Sequence, residues 1–214
     1  MKRGFYEFKN IYLFIVIALY YLIVDILMNA YIYTSEYYHS VLSAKLDNDQ
    51  INQVITNNND YRIVVYLLIP IFLIAKIWII SGIIYIGLIF LNKSTTYSSC
   101  LKIALFAELI FVVATVIKLG WLLIHKPGDI TDIQFFSPLA ITQVIDIKKI
   151  SKYFLYPLQL FNIFEIAYWF MLAYGIMIFT GWRYGKSLKA VAASYGVALA
   201  VWVVLVLFIQ VQLS

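Results

Sequence analysis

The chain has few charged residues and a single cysteine. Only 13% of its 214 residues are charged and 64% are hydrophobic, whereas soluble domains have roughly 25% charged residues. A soluble domain could not cover so much apolar surface with so few polar side chains, and the composition therefore predicts an integral membrane protein. The one cysteine, Cys100, excludes an intramolecular disulfide and a cysteine-based metal site.

Recognisable catalytic motifs are also missing. The sequence contains no HExxH or GxSxG motif, no Walker loop and no glycine-rich dinucleotide turn. Glu36, His39 and His125 are metal-ligand types, but they lack the fixed spacing of a known metal site. We therefore predict no enzymatic activity, no metal and no cofactor. An intramembrane enzyme is kept as an alternative to the two functions considered below.

The net charge of +5 raises the question of an acidic partner such as nucleic acid. Half of the sixteen basic residues lie at ends that the pattern assigns to the cytoplasm: Lys2, Arg3, Lys9, Lys93, Lys102, Arg183, Lys186 and Lys189. This is the positive-inside bias, which sets topology and requires no nucleic acid. It predicts a cytoplasmic N-terminus and an outer C-terminus. The abundance of Ile, Asn, Lys, Tyr and Phe fits an AT-rich bacterial genome, and the predicted location is the bacterial inner membrane.

Five long apolar runs predict five membrane-spanning helices, since about 20 residues cross the hydrocarbon core. They lie at about residues 10–33, 63–91, 102–124, 154–182 and 190–213. The fourth run is flanked by Tyr153 and Trp182, which are aromatic residues of the interfacial type. The predicted fold is a single polytopic domain over residues 1–214, an all-α bundle of five transmembrane helices in a lipid bilayer.

The two outer loops are predicted to contain short amphipathic helices at the membrane surface. In residues 34–62, Leu42, Leu46, Ile51, Val54 and Ile55 recur at helical spacing. Asn57–Asn59 indicates a turn there. In the second outer loop, apolar residues alternate with polar ones after Ser137 and Pro138, a composition typical of interfacial helices.

Five charged residues lie inside the spans, where each costs roughly 2.5–3.5 kcal/mol at a helix centre. From the rise per residue, Asp25 and Glu165 are about 5 Å to the outer side of the midplane and Lys118 about 8 Å. Lys76 is near the midplane and Glu108 about 8 Å to the inner side. Depth therefore predicts two ion pairs, Lys118 with Glu165 and Lys76 with Asp25. Glu108 is left protonated, hydrogen-bonded to a neighbour, or reached by Lys76.

The fifth span has no charged residue. Ala192, Gly196 and Ala200 are spaced four apart, a pattern that lets helix backbones approach closely. We predict that this face packs against another helix, in the same chain or in a second copy, which permits a homo-oligomer.

Several segments from the second span onward carry a shared pattern: Ser81–Tyr85, the turn Asn92–Ser99, Leu101–Ala104, Asn162–Ile166 with Trp169, Leu172, Gly175 and Thr180–Gly181, and Lys186–Leu188. Together these segments resemble the Yip (Ypt-interacting protein) family. The resemblance implies a five-span bundle without catalytic residues, similar to the bacterial relatives. Many relatives have a proline where this chain has Glu108 and Leu109. Eukaryotic members act in vesicle traffic with small GTPases through a long cytosolic N-terminal region, whereas the arm here has about ten residues.

Two functions are compatible with these features. The first is a non-enzymatic organiser or subunit that interacts with other membrane proteins, with the intramembrane charges serving to fix helix rotation. The alternative is a small transporter or channel component linked to protons through Glu108. A cavity that reaches Glu108 would favour the second function, and dry, paired charges would favour the first.

Overall fold

The protein is a helical bundle with five helices long and apolar enough to cross a membrane. The computed structural model describes residues 9–125, 152–160 and 162–212. In this part of the chain the elements are α1 Asn10–Tyr31, α2 Ser35–Leu42, α3 Asn48–Phe90, α4 Tyr97–Ile124, α5 Lys152–Leu160, α6 Ile163–Thr180, α7 Tyr184–Val191, a π-helical segment Ala192–Gly196 and α8 Val197–Gln212. The candidate spans are α1, α3, α4, α6 and the continuous helix Tyr184–Gln212. The all-α five-span prediction is confirmed.

The helix α3 is much longer than the second predicted span. Its 43 residues extend about 65 Å at 1.5 Å per residue, about twice the hydrocarbon thickness. It begins at a capping box, in which the Asp47 carboxylate accepts from the backbone N–H of Gln50 at 2.8 Å and the Gln50 side chain accepts from the N–H of Asp47 at 3.2 Å. The polar first third of α3 therefore projects beyond the apolar part of the bundle.

The predicted turn at Asn57–Asn59 is wrong, because these residues lie inside α3. Asparagine costs a helix less than about 0.7 kcal/mol. Two of the side chains bond without disturbing the backbone: Asn58 donates to the Tyr38 hydroxyl at 3.0 Å, and Asn59 accepts from Arg62 at 2.6 Å. The amphipathic helices predicted for residues 34–62 correspond to α2 and to the start of α3.

The fourth span begins at Ile163 and not at Phe154. Lys152–Leu160 forms the separate helix α5, and Asn162 caps α6 by accepting from the backbone N–H of Glu165 at 2.8 Å. At the other end Gly181 adopts a left-handed φ of 73°, a conformation that glycine adopts without steric cost at a helix C-terminus. The interfacial helices predicted within residues 126–151 lie outside the described residues.

The core lies between α3, α4 and α6. Ile84, Ile103, Tyr168, Leu172 and Ile176 are all at most 1% exposed. The helices α4 and α6 approach closely at Gly175, where an added Cβ would lie 2.8 Å from Ile103 Cγ2. By contrast α8 buries no residue, so that its apolar surface lies on the outside of the described bundle.

The last span packs within the chain through small residues. A Cβ at Gly196 would lie 2.6 Å from Cη2 of Trp169, and a Cβ at Gly87 would overlap the Ser194 side chain. Ala192 and Ala200 remain exposed. Of the predicted small-residue face, Gly196 is thus in intrachain contact with the fourth span.

These contacts predict opposite effects for two glycines of α3. Gly87→Ala should destabilise the fold by about 1–3 kcal/mol, the usual cost of overpacking, because Ser194 and its backbone must move. Gly82 has no neighbouring atom within 4 Å of an added Cβ, so Gly82→Ala should be neutral or stabilising by about 0.5–1 kcal/mol. Thermal unfolding in one detergent would compare them, and equal melting temperatures would contradict the packing.

Candidate functional site

An ion pair joins the second and third spans inside the bundle. Lys76 Nζ on α3 lies 2.8 Å from Oε1 of Glu108 on α4. The Glu108 side chain is only 2% exposed, whereas that of Lys76 is 40% exposed. The buried carboxylate of Glu108 is therefore paired with an ammonium side chain that is itself partly exposed.

Aromatic side chains complete the surroundings of this pair. The Tyr21 hydroxyl on α1 donates to Glu108 Oε1 at 2.9 Å. The Lys76 ammonium lies 4.2 Å from the ring centroid of Phe111, a cation–π distance. The Phe111 ring in turn contacts the Tyr168 ring of α6, with centroids 4.9 Å apart. Four spans thus meet at one polar centre.

Two buried polar atoms at this centre have no hydrogen-bond partner among the described residues. They are Oε2 of Glu108 and the hydroxyl of Tyr168. Glu108 is 1% exposed and Tyr168 is fully buried. Leaving such a group unpaired costs about 1–3 kcal/mol. The two atoms are therefore unsatisfied polar groups inside the core.

A cleft of about 620 Å³ between α1 and α3 reaches this centre. Tyr21, Lys76 and Glu108 line one end, and Asp25 lines it further along α1. Its remaining walls are apolar and come from Val24, Met28, Val65, Leu68, Ile69, Phe72 and Leu73. The volume and the combination of apolar walls with a few convergent polar groups are those of small-molecule sites, which span ~300–1,000 Å³.

Glu165 forms a second, separate polar group. Its Oε1 accepts from the Tyr195 hydroxyl at 2.9 Å and from Trp169 Nε1 at 3.0 Å. Because Glu165 lies in the first turn of α6, the partial positive charge of the helix N-terminus also favours a carboxylate there. The π-helical segment of the last span presents Tyr195 to it, and such segments frequently occur at functional sites.

The two ion pairs predicted from depth are wrong. Lys76 binds Glu108 and not Asp25, whose carboxylate accepts from Asn29 Nδ2 at 2.9 Å. Glu165 takes neutral donors, and within the described part of the chain Lys118 has neither a hydrogen-bond nor an ion-pair partner. Depth along the bundle axis does not determine the rotation of a helix about its own axis. It also does not determine where a helix begins: Glu165 lies in the first turn of α6.

The sequence interpretation missed the tyrosines of the site. Tyr21, Tyr168 and Tyr195 were assigned no role from the sequence, although they lie well inside their spans. Their distance from the span ends was the available signal, because a hydroxyl in hydrocarbon requires a polar partner. Tyr21 also precedes Asp25 by one helical turn, which places both on one face of α1.

No group of three or more His, Cys, Asp or Glu side chains comes together in residues 9–125, 152–160 and 162–212. Glu36 and His39 lie on α2, and His125 stacks on Trp121 at the end of α4 with ring centroids 4.0 Å apart. The three candidate metal ligands are therefore divided between two elements of the fold.

The unequal burial of the ion pair predicts unequal effects of its removal. Lys76→Met strands the buried Glu108 carboxylate and should cost about 3 kcal/mol, the order found for breaking a buried pair. Glu108→Leu should cost less, because Lys76 remains open to the cleft, and the double variant should recover most of the loss. Unfolding in mild detergent would measure all three.

The control is Lys118 and Glu165, the pair that was predicted from depth in the membrane. Lys118→Met and Glu165→Leu should combine additively within about 0.5 kcal/mol, as for residues that do not interact. Coupling between Lys118 and Glu165 with none between Lys76 and Glu108 would reverse the assignment.

No protein-family model, curated protein or solved structure matches this chain, and a functional assignment therefore depends on the geometry of the cleft and its polar end.

Proposed function

We propose that the protein is a small, non-enzymatic transport component of the membrane, linked to proton movement through Glu108. The observation that supports this proposal is the cleft of about 620 Å³ that reaches the Lys76–Glu108 pair. Intramembrane ionisable residues that face a cavity commonly mark substrate or proton pathways. A pair that served only to fix helix rotation would not require such an opening.

The geometry also indicates which atom would take up the proton. One oxygen of Glu108 is held by Lys76 and Tyr21, whereas the other is enclosed and has no partner among the described residues. A proton that reaches Glu108 would bind to that second oxygen. Because the Lys76 side chain is 40% exposed, it can turn into the cleft when Glu108 is neutralised, which couples proton binding to the shape of the site.

Proton flux across reconstituted vesicles tests this function. We expect wild-type protein to dissipate an imposed pH gradient, and Glu108→Gln to slow the dissipation by about tenfold, equivalent to ~1.4 kcal/mol. Glu36→Gln makes the same chemical change on the exposed surface of α2 and should leave the rate unchanged. Equal rates for wild type and Glu108→Gln would exclude the proposed role of this carboxyl.

An organiser role remains the other prediction. One feature favours it: an apolar groove of about 860 Å³ between α6 and the last span, lined in part by Glu165, Trp169, Ala192, Gly196 and Ala200. The groove has the small-residue lining found where membrane helices meet. Interaction with other membrane proteins, a homo-oligomer and membership of the Yip family stay predictions.

We also propose that the protein lies in a bacterial inner membrane with its N-terminus in the cytoplasm, on the basis of the distribution of basic residues. Cys100 is fully buried, so the native thiol should not react and serves as an internal blank. Asp49→Cys, on the projecting start of α3, should react with an impermeant maleimide in intact cells. Ser94→Cys, in the turn before α4, should react only after the membrane is opened. The reverse pattern would invert the topology.

A further inference from the structure

The groove between α6 and the last span has a single ionisable side chain in an otherwise apolar lining. Its volume is about 860 Å³, and Glu165 is the one charged residue among those that line it. Ile166, Phe170 and Val204 line the same groove and are exposed on the outside of the described bundle. Because both helices are candidate spans, a lipid in the bilayer can enter this groove from the side.

The two oxygens of the Glu165 carboxylate differ in their contacts. Oε1 accepts from Tyr195 and Trp169, and these donors fix the orientation of the carboxylate. Oε2 has no hydrogen-bond partner among the described residues. Although Glu165 is only 8% exposed, this oxygen is not one of the enclosed unpaired atoms, in contrast to Oε2 of Glu108. A donor that lies in the groove can therefore reach Glu165 Oε2.

The charge of this carboxylate is not balanced by a neighbouring cation. Tyr195 and Trp169 are neutral donors, and no basic side chain of the described residues forms an ion pair with Glu165. The N-terminus of α6 offsets only part of the charge, because it is equivalent to about half a positive charge. An ionised carboxylate inside a span is costly unless it is paired. The groove therefore favours a ligand that is both a cation and a hydrogen-bond donor.

An ammonium group with N–H donors meets both requirements, through a charge-assisted hydrogen bond to the carboxylate. A hydroxyl group would supply the donor without the charge, and a trimethylammonium group would supply the charge without the donor. These three head groups therefore distinguish the contribution of charge from that of hydrogen bonding.

The groove also has the length and the position of a lipid chain below its head group. It extends from Leu188 to Val204 on the last span, about 24 Å at 1.5 Å per residue, which is most of the hydrocarbon thickness of about 30 Å. Glu165 lies in the first turn of α6, a helix of 18 residues that extends about 27 Å. The carboxylate is therefore near one end of the span, close to the level of lipid head groups.

We propose that this groove binds a bilayer lipid whose head group ends in a primary ammonium, as in phosphatidylethanolamine. The ammonium donates to Glu165 Oε2, one acyl chain lies along Ile166 and Phe170, and the phosphate stays in the head-group layer outside the groove. The site is separate from the Lys76–Glu108 cleft, and it does not depend on proton transport.

Photolabelling of the full chain in phosphatidylcholine nanodiscs tests the proposal. The two probes are phosphatidylethanolamine and phosphatidylcholine with the same diazirine-bearing acyl chain, so that they differ only in the three N-methyl groups. Labelled residues are located by mass spectrometry, and labelling of α1, which does not line the groove, is the internal reference. We expect the ethanolamine lipid to label the groove about tenfold more strongly, as for the gain of one hydrogen bond to a charged group.

Three variants assign this preference to the groove and to its carboxylate. Glu165→Gln keeps the size of the side chain and an acceptor oxygen but removes the charge, and it should abolish most of the preference. Ala200→Trp fills the groove and should abolish labelling there. Val201→Trp, at the next position, is exposed and does not line the groove, and it should leave labelling unchanged.

Equal labelling of the wild-type groove by the two lipids would overturn the proposal, and this comparison does not require any variant to fold. A preference that persists in Glu165→Gln would also overturn it. So would competition by hexadecylamine without a preference for the ethanolamine lipid, because the ligand would then be a single-chain amine. Labelling of the groove by neither lipid would instead favour its occupation by another helix and would equally contradict the lipid site.

Discussion

The structure depends on one ion pair placed where ions are costly. Lys76 and Glu108 join α3 to α4 at 2.8 Å, and Tyr21 brings α1 to the same carboxylate at 2.9 Å. Each ion alone costs a few kcal/mol in hydrocarbon, and these helices are therefore constrained in rotation as well as in position. Three of the five spans are fixed relative to one another by the need to satisfy a single buried carboxylate. The same residue lines one end of a cleft, and the second oxygen of its carboxylate is enclosed and has no partner among the described residues.

The fourth and fifth spans meet at a second carboxylate, which no cation of the described residues contacts directly. Asn162 caps α6, the helix N-terminus favours the negative charge of Glu165, and Trp169 and Tyr195 donate to it. Gly196 allows the Trp169 ring to lie against the last span. The π-helical segment thus serves packing and hydrogen bonding together, and a change at Gly196 would also disturb the donor to Glu165.

Most of the fold could be predicted from the sequence, because a bilayer leaves few choices. About twenty apolar residues must cross as a helix, and this argument found all five spans. The start of α6 was missed even though Asn162 and Glu165, three residues apart, form a capping signal. The residues of the site could be predicted, but their pairing only in part: depth along the axis paired Lys76 with Asp25, whereas contact of Glu108 with Lys76, which the structure shows, was one of three states left open for Glu108. Which residues face one another depends on helix rotation, which is set by packing such as that of Gly175 on Ile103 and is not encoded in hydropathy.

The proposed function rests on the incomplete pairing of Glu108 and Tyr168 at the centre of the described bundle. The most direct measurement of the central claim is a solid-state NMR distance between Lys76 Nζ and the Glu108 carboxyl carbon in lipid bilayers, with selectively labelled protein. The account predicts the strong dipolar coupling of a direct ion pair, in agreement with the 2.8 Å contact. A coupling of Lys76 to Asp25 instead, or the absence of any carboxyl within direct contact, would contradict it.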